Sequence, residues 1–261
     1  ISLQLLKVDR YTGISVLESG LMTEQVTTYF SPEATLLALL GAASSFMSTS
    51  AIGGKSYMYF LTFSPGQVSE ILSDMEVGRD PKRYLILRDQ VKSFLGDVLA
   101  KYPSNELLVT ELLLNIELSS SLVKNALEKV DFLLFKVAME GNTYKIYESL
   151  PLSLVRRPPF YNIPSIEDPD ALREMLWRIV DPSSSLVIQA LDSLTKKRQR
   201  AEASNILRAV LFLHRFVTLG DALGLKEFLR ELAKAHTICR ANKGKDCDGY
   251  LRHIARLSRS L

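Results

Sequence analysis

Basic side chains that could bind phosphate are concentrated in the last quarter of the chain. Residues 196–261 contain 15 Lys and Arg residues against 6 Asp and Glu residues, a net charge of +9, whereas residues 1–195 carry −6. A charge asymmetry of this kind is typical of a surface that binds a polyanion. The candidate phosphate contacts in this region are Lys196, Lys197, Arg198, Arg200, Arg208 and Arg215.

The segment that contains these residues has the pattern of an amphipathic helix. At about 100° per residue, the basic stripe lies opposite an apolar stripe, which consists of Ile206, Val210, Leu213 and Val217. Glu202 is the only acidic residue between positions 196 and 220. A helix that is merely solvated usually interleaves both signs, so the one-sign stripe favours contact with phosphate. A solvated face, or contact with an acidic protein surface, is the alternative.

Two further positions could contact nucleic acid. The run Gly53–Ser56 has the glycines and lysine of a phosphate-binding loop, but Thr49 stands where that motif requires its first glycine, and a predicted strand follows it. We therefore expect a glycine turn that leaves Lys55 available to a phosphate or a base edge. Arg156 and Arg157 precede a pair of prolines in an extended segment, so we expect both to be exposed and available to phosphate.

Catalysis has one candidate arrangement. The spacing Arg-x5-His occurs at Arg208/His214 and at Arg230/His236, and HEPN-type ribonucleases use that spacing to stabilise the scissile phosphate and transfer protons. Six residues along a helix set the two side chains about 120° apart, so they converge only at a helix end or in a dimer. One partly buried and one surface histidine is the simpler interpretation. A metal-independent ribonuclease using Arg230 and His236 is the alternative.

No other motif predicts an enzyme, a metal site or a cofactor. The three histidines and two cysteines lack the spacing of zinc ligands, and the common hydrolase motifs are missing from the sequence. Cys239 and Cys247 could form a disulfide, but two cysteines in a chain this long more often indicate a reducing cytoplasm. The longest apolar run is too short to span a bilayer. We expect a non-enzymatic, soluble, cytoplasmic protein without a membrane partner.

The aromatic residues of the segment Ser56–Phe63 allow two interpretations. Tyr57, Tyr59, Phe60 and Phe63 could offer stacking surfaces to bases. A strand that is covered on both faces explains the same run without a ligand, and we favour it.

These residues are positioned by an α+β fold. A mixed α/β N-terminal part with a small antiparallel sheet is followed by an all-α C-terminal helical bundle. Helices are predicted near 32–47, 64–75, 84–101, 104–118, 121–129, 168–180, 184–194, 195–219, 225–240 and 249–260. Strand 56–63 and a hairpin of 132–140 with 143–148 form the sheet. Five prolines between positions 151 and 169 predict a connection, so the expected domains are 1–150, a connection 151–169 and a basic bundle 170–261.

Four stretches together resemble a known family. They are Tyr29–Phe46, the tyrosine-rich strand Ser56–Phe63, Lys145–Leu154 and Phe216–Ala235. The chain resembles the large subunit of the archaeal type I-A CRISPR interference complex, Cascade. The resemblance transfers no site residue.

The resemblance implies a non-catalytic subunit of a ribonucleoprotein for antiviral defence. Such a subunit sits near the 5′ end of the crRNA, helps to recognise the motif that flanks the target, and holds crRNA and target DNA. Its implied partners are the guide-backbone subunit, the small subunit and the helicase-nuclease that it recruits. A pure protein-interaction scaffold, whose basic stripe meets an acidic partner, is a further alternative.

Overall fold

The computed structural model describes residues 31–52, 55–99, 101, 104–141, 143–181, 187, 190, 200–242 and 247–258. A four-stranded antiparallel sheet lies in the N-terminal half and helices form the C-terminal part, which confirms the predicted α+β class. None of the helices among these residues combines the length and the apolar character that crossing a bilayer requires.

The elements follow one another along the chain with short connections. The helices are α1 (Pro32–Ser45), α2 (Pro65–Glu76), α3 (Lys82–Val98), α4 (Asn105–Leu114), α5 (Ile116–Lys124), α6 (Pro169–Val180), α7 (Arg200–Leu219), α8 (Ala222–Ala241) and α9 (Asp248–Leu257). The strands are β1 (Phe46–Ile52), β2 (Lys55–Phe63), β3 (Lys129–Glu140) and β4 (Thr143–Val155), in the sheet order β1-β2-β3-β4. A 3-10 helix spans Pro159–Asn162.

Helix starts follow the capping signals of the sequence. The Ser31 hydroxyl accepts a hydrogen bond from the amide of Ala34 at 3.2 Å, and Ser64 accepts one from the amide of Gln67 at 3.2 Å. Each serine precedes a proline in the first turn, where the missing N–H costs no intrahelical bond. The predicted starts of α1 and α2 are therefore confirmed.

Two predicted boundaries near the sheet are wrong. The first helix stops at Ser45 because Phe46 already pairs with Phe60 in an antiparallel β1-β2 ladder, so residues 46–52 form a strand that the sequence did not predict. The hairpin around Gly141 is confirmed, but its second strand continues to Val155 through Pro151. A proline fits there because β4 is an edge strand.

The helix predicted at 104–118 is in fact two helices. Asn115 has extended backbone angles, φ −62° and ψ 115°, and its side chain accepts a hydrogen bond from the amide of Leu118 at 3.0 Å. It therefore ends α4 and caps α5 at the same residue.

Contacts divide the chain into two compact units. The first comprises Ile1–Thr62 and Leu133–Leu150, and the second comprises Phe63–Phe132 and Pro151–Leu261. Helices α2 to α5 thus belong with the C-terminal helices, whereas the sequence-based domain 1–150 placed them with the sheet.

The core of the second unit forms around α7 and α8. Helix α7 packs against α8, α4 and the 3-10 helix, and Phe160 stacks on Phe216 with ring centroids 5.1 Å apart. Gly220 ends α7 with a positive φ of 67°. Gly224 lies against α7 so closely that a Cβ atom there would come within 2.7 Å of the Phe212 carbonyl oxygen.

A buried arginine joins three parts of this unit. Arg173 of α6 is 4% exposed, and all five of its N–H groups have acceptors. Those acceptors are the carbonyl oxygens of Leu113, Leu114, Asn115 and Arg156 and the hydroxyl of Ser119, at 2.7–3.2 Å. The carbonyl groups of Leu113 and Leu114 lie past the last N–H of α4, so the guanidinium satisfies them and its charge opposes the negative end of the helix dipole.

We expect Arg173→Met to lower the free energy of unfolding by about 3 kcal/mol or more, because the buried carbonyl groups of Leu113 and Leu114 lose their donor. Urea denaturation measures the change. Arg178→Met on the same helix is the matched control, because that side chain is 61% exposed and its pair with Glu174 lies on the surface; its expected loss is below about 1 kcal/mol. Equal losses in the two variants would contradict the role of Arg173.

Candidate nucleic-acid interface

Helix α7 presents its arginines to solvent. Arg200, Arg208 and Arg215 are exposed, and the predicted apolar stripe is buried, each member at 2% exposure or less: Ile206, Val210, Leu213 and Val217. The amphipathic prediction for this helix is therefore confirmed. Lys196, Lys197 and Arg198, which the sequence placed at its start, lie outside the described residues.

The arginines of α7 differ in their partners. The Nη2 group of Arg215 donates to Asp221 at 2.6 Å, and the other oxygen of Asp221 caps α8. The guanidinium of Arg208 makes no hydrogen bond or ion pair with the residues that the structure describes. Of these two predicted phosphate contacts, Arg208 has the free guanidinium and Arg215 is already neutralised.

Glu202, the only acidic residue between positions 196 and 220, is hydrogen-bonded to a tyrosine. Its carboxylate accepts a hydrogen bond from the Tyr250 hydroxyl at 2.8 Å. Burial raises the pKa of Tyr250, and the hydrogen bond to Glu202 adds to the effect. Glu202 therefore serves the contact between α7 and α9 instead of pairing with the arginines of α7.

The expectation that both Arg156 and Arg157 are exposed is wrong for Arg156, which is half-buried. Its Nη1 group donates to Glu128 at 2.8 Å, because the end of β4 lies beside the residue that precedes β3. Its carbonyl oxygen accepts from Ser119 and Arg173. Arg157 is exposed, as predicted.

Lys55 belongs to a group of aromatic and basic side chains on the sheet. The Nζ of Lys55 lies 5.6 Å from the centroid of the Tyr147 ring, and the Nζ of Lys136 lies 4.6 Å from that of Tyr57. The two tyrosine rings meet edge to face, 5.6 Å apart. We call these four residues the tyrosine-lysine cluster. All four belong to the first compact unit.

A third cation lies on the same strand as Tyr147. Lys145 pairs with Glu140 across the hairpin, and this hydrogen bond lowers the pKa of the Glu140 carboxyl. Alternation along β4 puts Lys145 and Tyr147 on one side of the strand. The ion pair is exposed and can be exchanged for a contact with a phosphate at small cost.

The aromatic run of β2 divides between the two interpretations. Tyr59 is 5% exposed, and Phe63 stacks on Phe132 at 5.4 Å, so these rings belong to the core. Phe60 meets Phe46 edge to face. Tyr57 is half-buried and lies beside exposed Tyr147 of β4, so it is the member of the run that we assign to contact with a base.

Sequence reasoning missed Tyr147, Lys136 and Lys145. The predicted hairpin could have found them, because alternation assigns Lys145 and Tyr147 to one face of its second strand. Their proximity to Tyr57 depends on the pairing of β2 with β3, which periodicity alone does not give.

Neither Arg-x5-His pair is joined by a contact among the described residues. His214 lies 3.3 Å from the Thr110 hydroxyl, and His236 lies 3.6 Å from the Asp248 carboxylate. Arg230 pairs with Glu227 of its own helix. Both histidines are partly buried, so the expected surface position of one of them is wrong.

In the part of the chain that the structure describes, no three His, Cys, Asp or Glu side chains are grouped closely enough to hold a metal ion. Cys239 and Cys247 form a disulfide with their Cα atoms 5.7 Å apart. It links the end of α8 to the start of α9. The sequence left this bond open and favoured reduced cysteines.

Comparison with known proteins gives a relative without an assigned function. No protein-family model and no solved structure matches the chain. An uncharacterized protein of Archaeoglobus fulgidus is 41% identical over 236 residues, which cover 90% of this chain and 59% of that protein. The chain thus spans about three fifths of the length of this relative. Since the relative has no described activity, function must be argued from the geometry.

The partly buried histidines predict a pH dependence of stability. Burial lowers the pKa of His214 and of His253, whereas the unfolded chain protonates at the ordinary pKa of about 6.5. The unfolded state therefore binds more protons below that pH, and the free energy of unfolding should fall between pH 7.5 and 5.5. Urea denaturation across this range measures it. His214→Gln should retain less of this dependence than the parent chain, and an identical slope would contradict the assignment.

Proposed function

We propose that this protein binds nucleic acid without catalysing a reaction, and that the tyrosine-lysine cluster contacts unpaired bases. The observation that carries the proposal is the pair of tyrosine rings with a lysine ammonium over each of them. Proteins that hold single strands combine aromatic rings, on which bases stack, with cations that follow the backbone. The cluster supplies both within one side of the sheet.

The exposed cations of α7 support a second contact of the same kind. The guanidinium of Arg208 has no partner among the described residues, and Glu202 of the same helix is bound to Tyr250. A guanidinium that no carboxylate neutralises is suited to a phosphate, which it can bind through two parallel N–H groups. Arg200, Arg157 and, outside the described residues, Lys196, Lys197 and Arg198 would extend this contact.

The biological setting that we propose is the one that the family resemblance implies. The protein would be a subunit of a type I-A CRISPR effector, binding crRNA and target DNA beside guide-backbone and small subunits and recruiting the helicase-nuclease. In such complexes base pairing supplies sequence specificity, and the protein holds backbone and displaced strands. A sequence-tolerant stacking surface with scattered cations fits that division of labour. The cytoplasm would be its compartment.

A role in protein interaction is the second candidate, and it is favoured by apolar side chains in the first unit. Leu36, Leu37, Leu39 and Leu40 of α1 are 57–70% exposed. A groove of about 400 Å³ lies between α1 and the sheet, lined by Ala42, Ser45, Met58, Phe60, Thr62, Phe135, Val137, Tyr144 and Ile146. Such surfaces mark interaction sites in soluble proteins. This role is compatible with a subunit of a complex.

The stacking contact is tested by removing both rings. Tyr57→Leu with Tyr147→Leu should weaken binding of a labelled single-stranded oligonucleotide about tenfold or more, because each stacked base contributes about 1–3 kcal/mol. Fluorescence anisotropy at physiological salt measures the affinity. Tyr144→Leu is the matched control, because Tyr144 is an exposed tyrosine of the same strand that lines the apolar groove instead.

The control separates two ways of failing. An equal loss in the Tyr144 variant would show that the sheet was damaged, and the stacking surface would lose its support. No binding of single or double strands by the parent chain at micromolar concentration would contradict the nucleic-acid function and favour the protein-interaction role.

The contact of α7 with phosphate is tested by the salt dependence of binding. Arg208→Ala should reduce the slope of log K against log[salt] by about 0.7 for a single strand or 0.9 for a duplex, the value for one lost phosphate contact. Arg215→Ala should change the slope less, because Asp221 already neutralises that guanidinium. If the two variants have the same slope as the parent chain, α7 does not meet the backbone.

A further inference from the structure

A small pocket lies between α6 and α9 in the second unit. It has a volume of about 80 Å³ and is lined by Met175, Arg178, Ile179, His253, Arg256 and Leu257. Pockets for drug-sized ligands occupy about 300–1,000 Å³, so this one is limited to a small group. At about 10–15 Å³ for each water centre, it has room for several oxygen atoms.

The polar lining of this pocket is cationic. Arg178 extends from α6, and Arg256 and His253 extend from α9. Arg178 donates from its Nη2 group to Glu174, which leaves its other N–H groups for another acceptor. The guanidinium of Arg256 makes no hydrogen bond or ion pair with the residues that the structure describes. Donors therefore outnumber acceptors around the pocket.

The floor of the pocket is apolar. Ile179 is 2% exposed and Leu257 is fully buried. Burial lowers the pKa of His253, and the charges of Arg256 and Arg252 lower it further. Like charges held together at a partly desolvated place repel one another, and an anion bound between them removes that repulsion.

We propose that this pocket binds a phosphate group. A tetrahedral oxyanion presents acceptors in several directions, so it can accept from two guanidinium groups and an imidazole N–H at once. A carboxylate also accepts several hydrogen bonds, but its acceptor sites lie in one plane, so it matches donors that converge from two helices less well than a tetrahedral oxyanion does. The same chemistry is offered by inorganic phosphate, by a backbone phosphate and by the terminal phosphate of an oligonucleotide. The inference stands apart from the proposed nucleic-acid function, because inorganic phosphate alone tests it.

The test uses inorganic phosphate and the histidine signals of the whole chain. The sequence contains three histidines, so their ring proton resonances in an NMR spectrum form a small set, and His253→Gln assigns one of them. Phosphate titrated at constant pH and ionic strength should shift the His253 signal in a saturable way. The signals of His214 and His236 should stay in place.

Matched variants on one helix decide whether the pocket is responsible. Arg256→Ala should weaken phosphate binding about tenfold or more, as expected when a charge-assisted hydrogen bond is lost. Arg252→Ala removes the same charge from the same helix at an exposed position that does not line the pocket, so its affinity should change less than about twofold. Unchanged His214 and His236 signals check that each variant is folded.

Three results would overturn the inference. They are a His253 signal that phosphate does not move, an equal loss of affinity in the Arg256 and Arg252 variants, and the same shift with chloride in place of phosphate.

Once phosphate binding is established, competition with oligonucleotides identifies which molecule supplies the phosphate group. Displacement by a 5′-phosphorylated oligonucleotide and not by its 5′-hydroxyl form identifies a terminal phosphate. Equal displacement by both identifies a backbone phosphate. If neither oligonucleotide displaces phosphate, the ligand is the free anion. That result would support phosphate binding in the pocket and contradict a nucleic-acid contact there.

Discussion

The second unit depends on the hydrogen bonds that the buried guanidinium of Arg173 donates. This guanidinium is a buried positive charge that pairs with no carboxylate of the described residues, and it is stable there because five acceptors surround it, most of them carbonyl groups at the end of α4. It thereby fixes the turn between α4 and α5 and the chain that leaves β4 at Arg156. Trp177 on the same helix makes a second link to α4, because its indole N–H donates to the buried carboxylate of Glu111 at 2.7 Å.

The positive charge of the C-terminal quarter is less uniform than its composition suggests. Arg215, Arg230, Lys234 and Arg240 each have a carboxylate within 4.0 Å, and these carboxylates come from the same quarter of the chain. Local pairing thus neutralises part of the net charge before any partner arrives. Arg208 and Arg256 lack such a carboxylate among the described residues, and a polyanion would meet the protein first at cations of this kind.

Local signals in the sequence predicted much of the fold, and contacts distant in sequence did not follow from it. The serine caps, the Gly141 hairpin and the buried stripe of α7 are set by neighbouring residues, so they were predictable. The break at Asn115 was not, because the leucine-rich segment 107–114 is buried all round and has no amphipathic period that ends there. Tyr147 meets Tyr57 only because of the order of the strands, so the sequence pointed to Lys55 and Tyr57 separately and did not show that they share a cluster with Lys136 and Tyr147.

Gly224 has a consequence for the arginines of α7. A residue with any side chain would push its helix away from the carbonyl oxygen of Phe212, since the nearest approach of a Cβ atom would be 2.7 Å. The two longest helices of the described chain therefore interlock at a point where one of them has no side chain. This close contact restricts rotation of α7 about its own axis. Gly224, packed against the inner face of α7, therefore helps to fix the direction in which the arginines on the outer face point.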